Sequence, residues 1–313
     1  MSILQAENAT AHTGPWAFPR ACITTSGQDL SKHLLQEKRS KFGFTGVPQE
    51  IKSPANASTS GSIKAEEIRR YKHYAGYTSQ GPNDRQTWLG VRAQITLWKI
   101  PDVQLLSVSE AYIAAINHSP FLEIISAGFH NRRNQTEGCY NNECPGFVVA
   151  DGTNLYPGQK FAPPLSTYGG EQRSFTIRIK KDQDTGDWSL YREDLGGPIG
   201  GMTLLGWWPK SLFRALSDHA EVIQWTGSII HAENERSPSM GSGHFAGELD
   251  GKAASFNDCF GFDENGNVYK GNYAALSYES DRNCYSVSEW YETKHAAGRH
   301  FFYGGPGGCS EKK

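Results

Sequence analysis

From about residue 71 onward the chain breaks into short segments of alternating character, and most of them are closed by Gly, Pro, Asn or Asp. VRAQITLWKI (91–100), VQLLSVSEAYIAAI (103–116), FLEIISAGF (121–129), RSFTIRIKK (173–181), WSLYRE (188–193) and AEVIQWTGSIIHA (220–232) are examples. Segments this short, this regularly punctuated and this rich in β-branched and aromatic residues are strands. In Ser174–Lys180 the alternation places Phe175, Ile177 and Ile179 on one face. The expected fold class is all-β: an antiparallel β-sandwich, single or in tandem. One helix is expected to interrupt the strands at about 209–220, where Pro209 suits a first turn and Leu212, Phe213 and Leu216 fall at helical spacing.

Composition agrees with many turns and twisted sheets: Gly 34, Phe 15, Tyr 14 and Trp 8 stand against Met 3. Lys+Arg 31 against Asp+Glu 33 gives a formal charge of −2, and the basic residues form no run longer than pairs such as Lys38-Arg39. That balance argues against a nucleic-acid groove or a polybasic membrane patch. No apolar run reaches the ~20 residues needed to cross a bilayer, and the N-terminal stretch lacks the charged-then-apolar order of an export signal. Six cysteines and the sequons at Asn8, Asn56, Asn117 and Asn134 nevertheless suit a secreted, extracellular glycoprotein.

Residues 1–70 are polar and irregular, with a candidate helix at about Asp29–Lys41 and a linker-like SPANASTSGS after it. The expected organisation is therefore a separate N-terminal segment, 1–70, followed by one β domain, 71–313. KDQDTGDW (181–188) and DENGN (263–267) read as turns rather than calcium loops, because both lack the length and terminal Glu of that motif. With no HExxH and no Gly-x-Ser-x-Gly before a helix, no metal or other cofactor is expected.

Several blocks are more distinctive. GWWPKSLF (206–213), the segment carrying Val222, Trp225 and Gly227, MGSGHF (240–245), NCY (283–285) and FFYGGPGGC (301–309) follow one another in a characteristic order. ISAGF (125–129), GCYNNECPGFV (138–148) and STYGGEQRSFTIRI (166–179) precede them. This string resembles the signature of the neprosin family, secreted β-sandwich glutamic peptidases that cut at proline-containing sites. The resemblance implies two disulfides, Cys139 with Cys144 across a four-residue loop and Cys284 with Cys309. Cys22 and Cys259 are left as a third bridge or as two buried thiols. Residues 21–44 are loosely similar to the end of the family's activation segment, which would make residues 1–70 its remnant.

A glutamic peptidase brings two carboxyl groups together across a cleft, one holding a water as base and one donating a proton. In neprosins one Glu stands directly before the Ala-Gly of the block matching ISAGF, and the other directly before the Trp of the block containing Trp225. Carried over, those positions are Ser126 and Gln224. Neither side chain ionises in the range where carboxylates work. Glu123 and Glu221 each lie three residues earlier, an odd offset that points to the opposite face of a regular strand.

His244 sits in a family block as a candidate cleft residue or a hydrogen-bonded structural histidine, and Tyr168 either lines or supports the cleft or packs in the core. Trp225, Trp207 and Trp208 are expected either to line or support the cleft or to pack in the core. Two functions follow. In one, the dyad is lost and an aromatic cleft binds a peptide, glycan or small molecule, or is repurposed for a reaction that needs positioning rather than carboxylates. In the other, the chain is an acid endopeptidase that prefers proline-containing sites, as the resemblance implies, and uses Glu123 and Glu221 or other acids.

Overall fold

The computed structural model describes residues 16–17, 20–23, 49–50, 68–79, 87–100, 103–118, 122–132, 146–153, 156–194, 201–269, 275–292 and 299–309. The expected helix at 29–41 and Cys139 and Cys144 lie outside them. Two antiparallel sheets face each other. The first is ordered β1 (Trp16–Ala17), β7 (Glu123–Arg132), β6 (Val108–Asn117), β12 (Val222–Ala232), β4 (Arg70–Ser79) and β14 (Ala275–Glu279). β2 (Arg20–Ile23) also pairs with β7, and β3 (Gln49–Glu50) with β4. The second runs β15 (Ser286–Val287), β17 (Arg299–Gly304), β13 (Ala254–Phe262), β5 (Gly90–Thr96), β9 (Ser174–Lys181), β10 (Trp188–Asp194), β11 (Thr203–Trp208) and β8 (Val148–Val149). β16 (Tyr291–Glu292) also pairs with β17.

Alternation explains why the sheets stack. Ile113, Ile125, Ile223 and Trp225 of the first sheet join Ile95, Phe175, Ile177, Ile179 and Phe256 of the second in one buried cluster. One core serves both sheets, so the architecture is a single sandwich rather than a tandem pair. The Trp225 indole N–H crosses the interface and donates to the Arg92 carbonyl at 2.9 Å. At Gly227 a Cβ would stand 2.4 Å from the Tyr303 ring, so only glycine lets the second sheet approach there.

The expected helix at 209–220 is not formed. A 3-10 turn covers Lys210–Leu212, after which Phe213 is extended. The N–H groups of Arg214, Ala215 and Leu216 donate to the Glu123 carboxylate at 2.8, 2.9 and 2.8 Å rather than to carbonyls one turn back. The Leu216 carbonyl accepts from the Trp188 indole and the Ser217 carbonyl from Lys181 Nζ. Phe213 and Leu216 are buried as their spacing suggested, while side chains from three strands take over the hydrogen bonds that a helix would make.

The Asp-rich stretches are turns. Asp182 Oδ1 accepts from the N–H groups of Asp184 and Thr185 between β9 and β10, and the Thr185 N–H holds this carboxyl below its usual range. Asp263 Oδ1 accepts from the N–H groups of Asn265 and Asn267. Cys284 and Cys309 form a disulfide with Cα atoms 5.8 Å apart. Cys259 is a free, buried thiol, so a third bridge to it is not made, and burial pushes its pKa up.

Candidate functional site

Strand register brings distant residues onto common rungs. Across β7, β6 and β12, Ser126 faces Ala114 and Ala114 faces Gln224; beyond them Arg20 pairs with Ser126 and Thr78 with Gln224. The chain neighbours of all three central residues, including Ile125, Ala127, Ile113, Ala115, Ile223 and Trp225, lie in the core. Ser126, Ala114 and Gln224 therefore point to the outer face of the first sheet. Two strand spacings separate Ser126 from Gln224, about 10 Å. Between them on this rung stands the Ala114 methyl.

The next rung on this face is Gly128, Tyr112, Thr226, Gly76 and Tyr278. The Thr226 and Tyr278 hydroxyls hydrogen-bond to each other above Gly76. Burial drives the Tyr278 phenol pKa up, and the bond from Thr226 opposes that rise. At Gly128 a Cβ would lie 1.9 Å from the Ala111 carbonyl oxygen, and at Gly76 2.2 Å from that of Trp225, so the floor stays bare at both points. A third rung carries His130, Glu110, Ser228 and Tyr74. At the opposite end Ile124, Ile116 and Val222 form a small apolar cluster with Ala114. The face thus grades from apolar through neutral hydrogen-bonding groups to ionisable ones.

A family model described as Neprosin matches residues 117–306, well over half of the chain. The chain belongs to the neprosin family. The match spans β7 and β12, the two strands that carry Ser126 and Gln224. A neprosin dyad built on this rung would have its carboxyl groups on either side of Ala114. The residues present offer a hydroxyl and an amide, which bind water or peptide groups and cannot exchange protons as a carboxyl pair does.

The other sequence candidates stand apart from this rung. Glu123 lies on the inner side of β7 and is occupied by the three N–H groups of residues 214–216. Glu221 precedes β12, where one carboxylate oxygen accepts from the His118 N–H at 3.1 Å and lies 3.5 Å from the His118 ring. Glu123 shares the parity of the core residue Ile125, whereas Glu221 lies outside the strand. Trp225 and Trp208 are fully buried between the sheets and Trp207 is half-buried on β11, so Trp225 does not line the cleft.

His244 and Tyr168 belong to a different surface. His244 Nδ1 lies 2.9 Å from Glu248 Oε1, and the Tyr168 hydroxyl donates to Glu248 Oε2 at 2.7 Å. The bond from Tyr168, then that from His244, holds the Glu248 carboxyl below its usual range. This trio flanks Ala246, which packs with Ala253 and Phe302. Phe301 and Tyr303 are core residues, so Phe302 points to the outer face of the second sheet, the far side of the sandwich from Ser126. Their placement in family blocks did not distinguish the two outer faces.

Glu110, His130, Tyr112 and Tyr278 escaped the sequence reading. The alternation of SVSEAYIAAI was itself a signal, since it sets Glu110, Tyr112, Ala114 and Ile116 on one face. What joins that face to Ser126 and Gln224 is cross-strand register, which the sequence does not display.

No helix among the described residues is long and apolar enough to cross a membrane. Among the described residues, the His, Cys and acidic side chains close enough to share a metal are Asp281, Cys284 and Cys309, and both sulfurs are already joined in the disulfide.

Proposed function

We propose that this neprosin-family chain binds an extended peptide on the outer face of its first sheet and does not hydrolyse it through the family dyad. The observation that carries this reading is the shared rung: Ser126 and Gln224 flank Ala114 on one face, where two titratable carboxyl groups would have to meet. A Gln amide and a Ser hydroxyl suit peptide groups as hydrogen-bond partners, and the bare floor at Gly128 and Gly76 suits a close-lying backbone. Tyr112, Tyr278 and Tyr74 supply aromatic surface on the same face. The disulfide favours an oxidising, extracellular setting for the protein.

The competing function is an acid endopeptidase that prefers proline-containing sites. Against it stand the engagements of Glu123 with three backbone N–H groups and of Glu221 with His118. A labelled, end-capped, proline-rich peptide separates the two. In mildly acidic buffer its anisotropy should rise with protein concentration while mass spectrometry finds it intact. Fragments would favour the peptidase, and an unchanged anisotropy would remove the peptide-binding reading; glycan arrays would then be the next probe.

A further inference from the structure

The third rung of the outer face holds polar groups that the protein itself does not satisfy. Glu110 is 7% exposed, and no described residue donates a hydrogen bond to its carboxylate or lies within ion-pair reach of it. Its neighbour across β12, Ser228, is fully buried, and its Oγ is without a hydrogen-bond partner. Both side chains have the parity of Ala114 and Gln224, so both point to the outer face. A fully buried hydroxyl without a partner is costly to keep, and a ligand that offers a matching donor would remove that cost.

The basic residues on this face are His130, opposite Glu110 on β7, Lys72 and Arg132 one rung farther on, Arg70 beyond Lys72 on β4, and Arg20, paired with Ser126. Lys72 Nζ lies over the Tyr74 ring, 4.9 Å from its centroid, rather than on Glu110. Glu110 is the one acid among the outward-facing residues of β4, β6, β7 and β12.

We infer that Glu110 and Ser228 form a subsite for the ammonium group of a lysine side chain in the bound peptide. Three acceptor oxygens, two on the carboxylate and one on the hydroxyl, match the three N–H donors of an ammonium. Along β6 the subsite stands four residues from Ala114, about 13 Å, which an extended peptide also spans in about four residues. The inference rests on the peptide-binding function proposed above and adds to it the charge and the position of the preferred side chain.

The test uses the full chain and short, end-capped, proline-rich peptides in which one lysine is scanned along the sequence. Each is paired with the same peptide carrying acetyl-lysine, and both are titrated by calorimetry. A lysine at one register should bind at least tenfold tighter than its acetylated twin, and Glu110→Gln should abolish that ratio. Equal affinities for both twins at every register would overturn the subsite and leave the peptide-binding function standing. Failure of every peptide to bind would overturn both. The comparison of twins in the unaltered protein decides the matter even if Glu110→Gln fails to fold, and Ser228→Ala should reduce the same ratio by a smaller factor.

Discussion

With three backbone N–H groups on its carboxylate, Glu123 does what nearly one turn of helix would do: it satisfies the N–H groups of residues 214–216 while Phe213 and Leu216 reach the core. Charge-assisted bonds of this kind are lost or weakened when the carboxylate becomes an amide, and a buried N–H is left without an acceptor. Glu123→Gln is therefore expected to lower stability by about 2–4 kcal/mol in urea titrations, with peptide binding on the outer face unaffected. If Glu123 instead served hydrolysis, the variant would keep its stability and lose cleavage. Asn117 is also settled by local detail: its side chain is buried and its amide donates to the His219 carbonyl at 3.0 Å, so a glycan on that nitrogen would have to break this contact. The sequon alone carried none of that information.

At the scale of elements, β4 and β12 are joined by more than their ladder. His73 and His231, both buried, place their Nε2 atoms 3.1 Å apart. His231 Nδ1 faces the carbonyls of Ala232 and Glu235 and therefore carries its proton, leaving Nε2 to accept from His73. Burial first, then the neighbouring His231, pull His73 down from 6.5 to about 4, with Asp281 opposing. Burial lowers His231 as well, against the two carbonyls and the Glu235 carboxylate.

The unfolded chain takes up the proton near 6.5 while the folded one resists it until about 4. Stability is thus full above that window and falls as pH drops through it, by about 3 kcal/mol for His73. Urea midpoints measured across the window should show this decline in the natural protein and a much flatter profile in His73→Gln, which keeps a donor and an acceptor. An identical slope in both would refute the assignment. Elements were otherwise the most legible level. Strand alternation survived in Phe175, Ile177 and Ile179, all buried as expected. The helix at 209–220 failed because local spacing says where side chains are buried and not which groups bond the backbone.

For the molecule as a whole, the stacking of two antiparallel sheets was readable from segment length and turn residues, and the family from the order of its blocks. The pairing of strands far apart in sequence was not. β4 lies beside β12 and β14, and three short strands from residues 16–50 pair with β7 and β4, although the sequence set residues 1–70 apart from the domain.

That same long-range register puts Ser126 and Gln224 on either side of Ala114, and the account depends on this rung. The direct test is to restore both acids and assay digestion of a disordered, proline-rich protein at about pH 4, where one member of a close carboxyl pair keeps its proton. The natural chain should leave the substrate intact, and S126E/Q224E should cleave it with a rate that falls toward neutral pH. Cleavage by the natural chain at a rate that the double substitution does not raise would contradict the account.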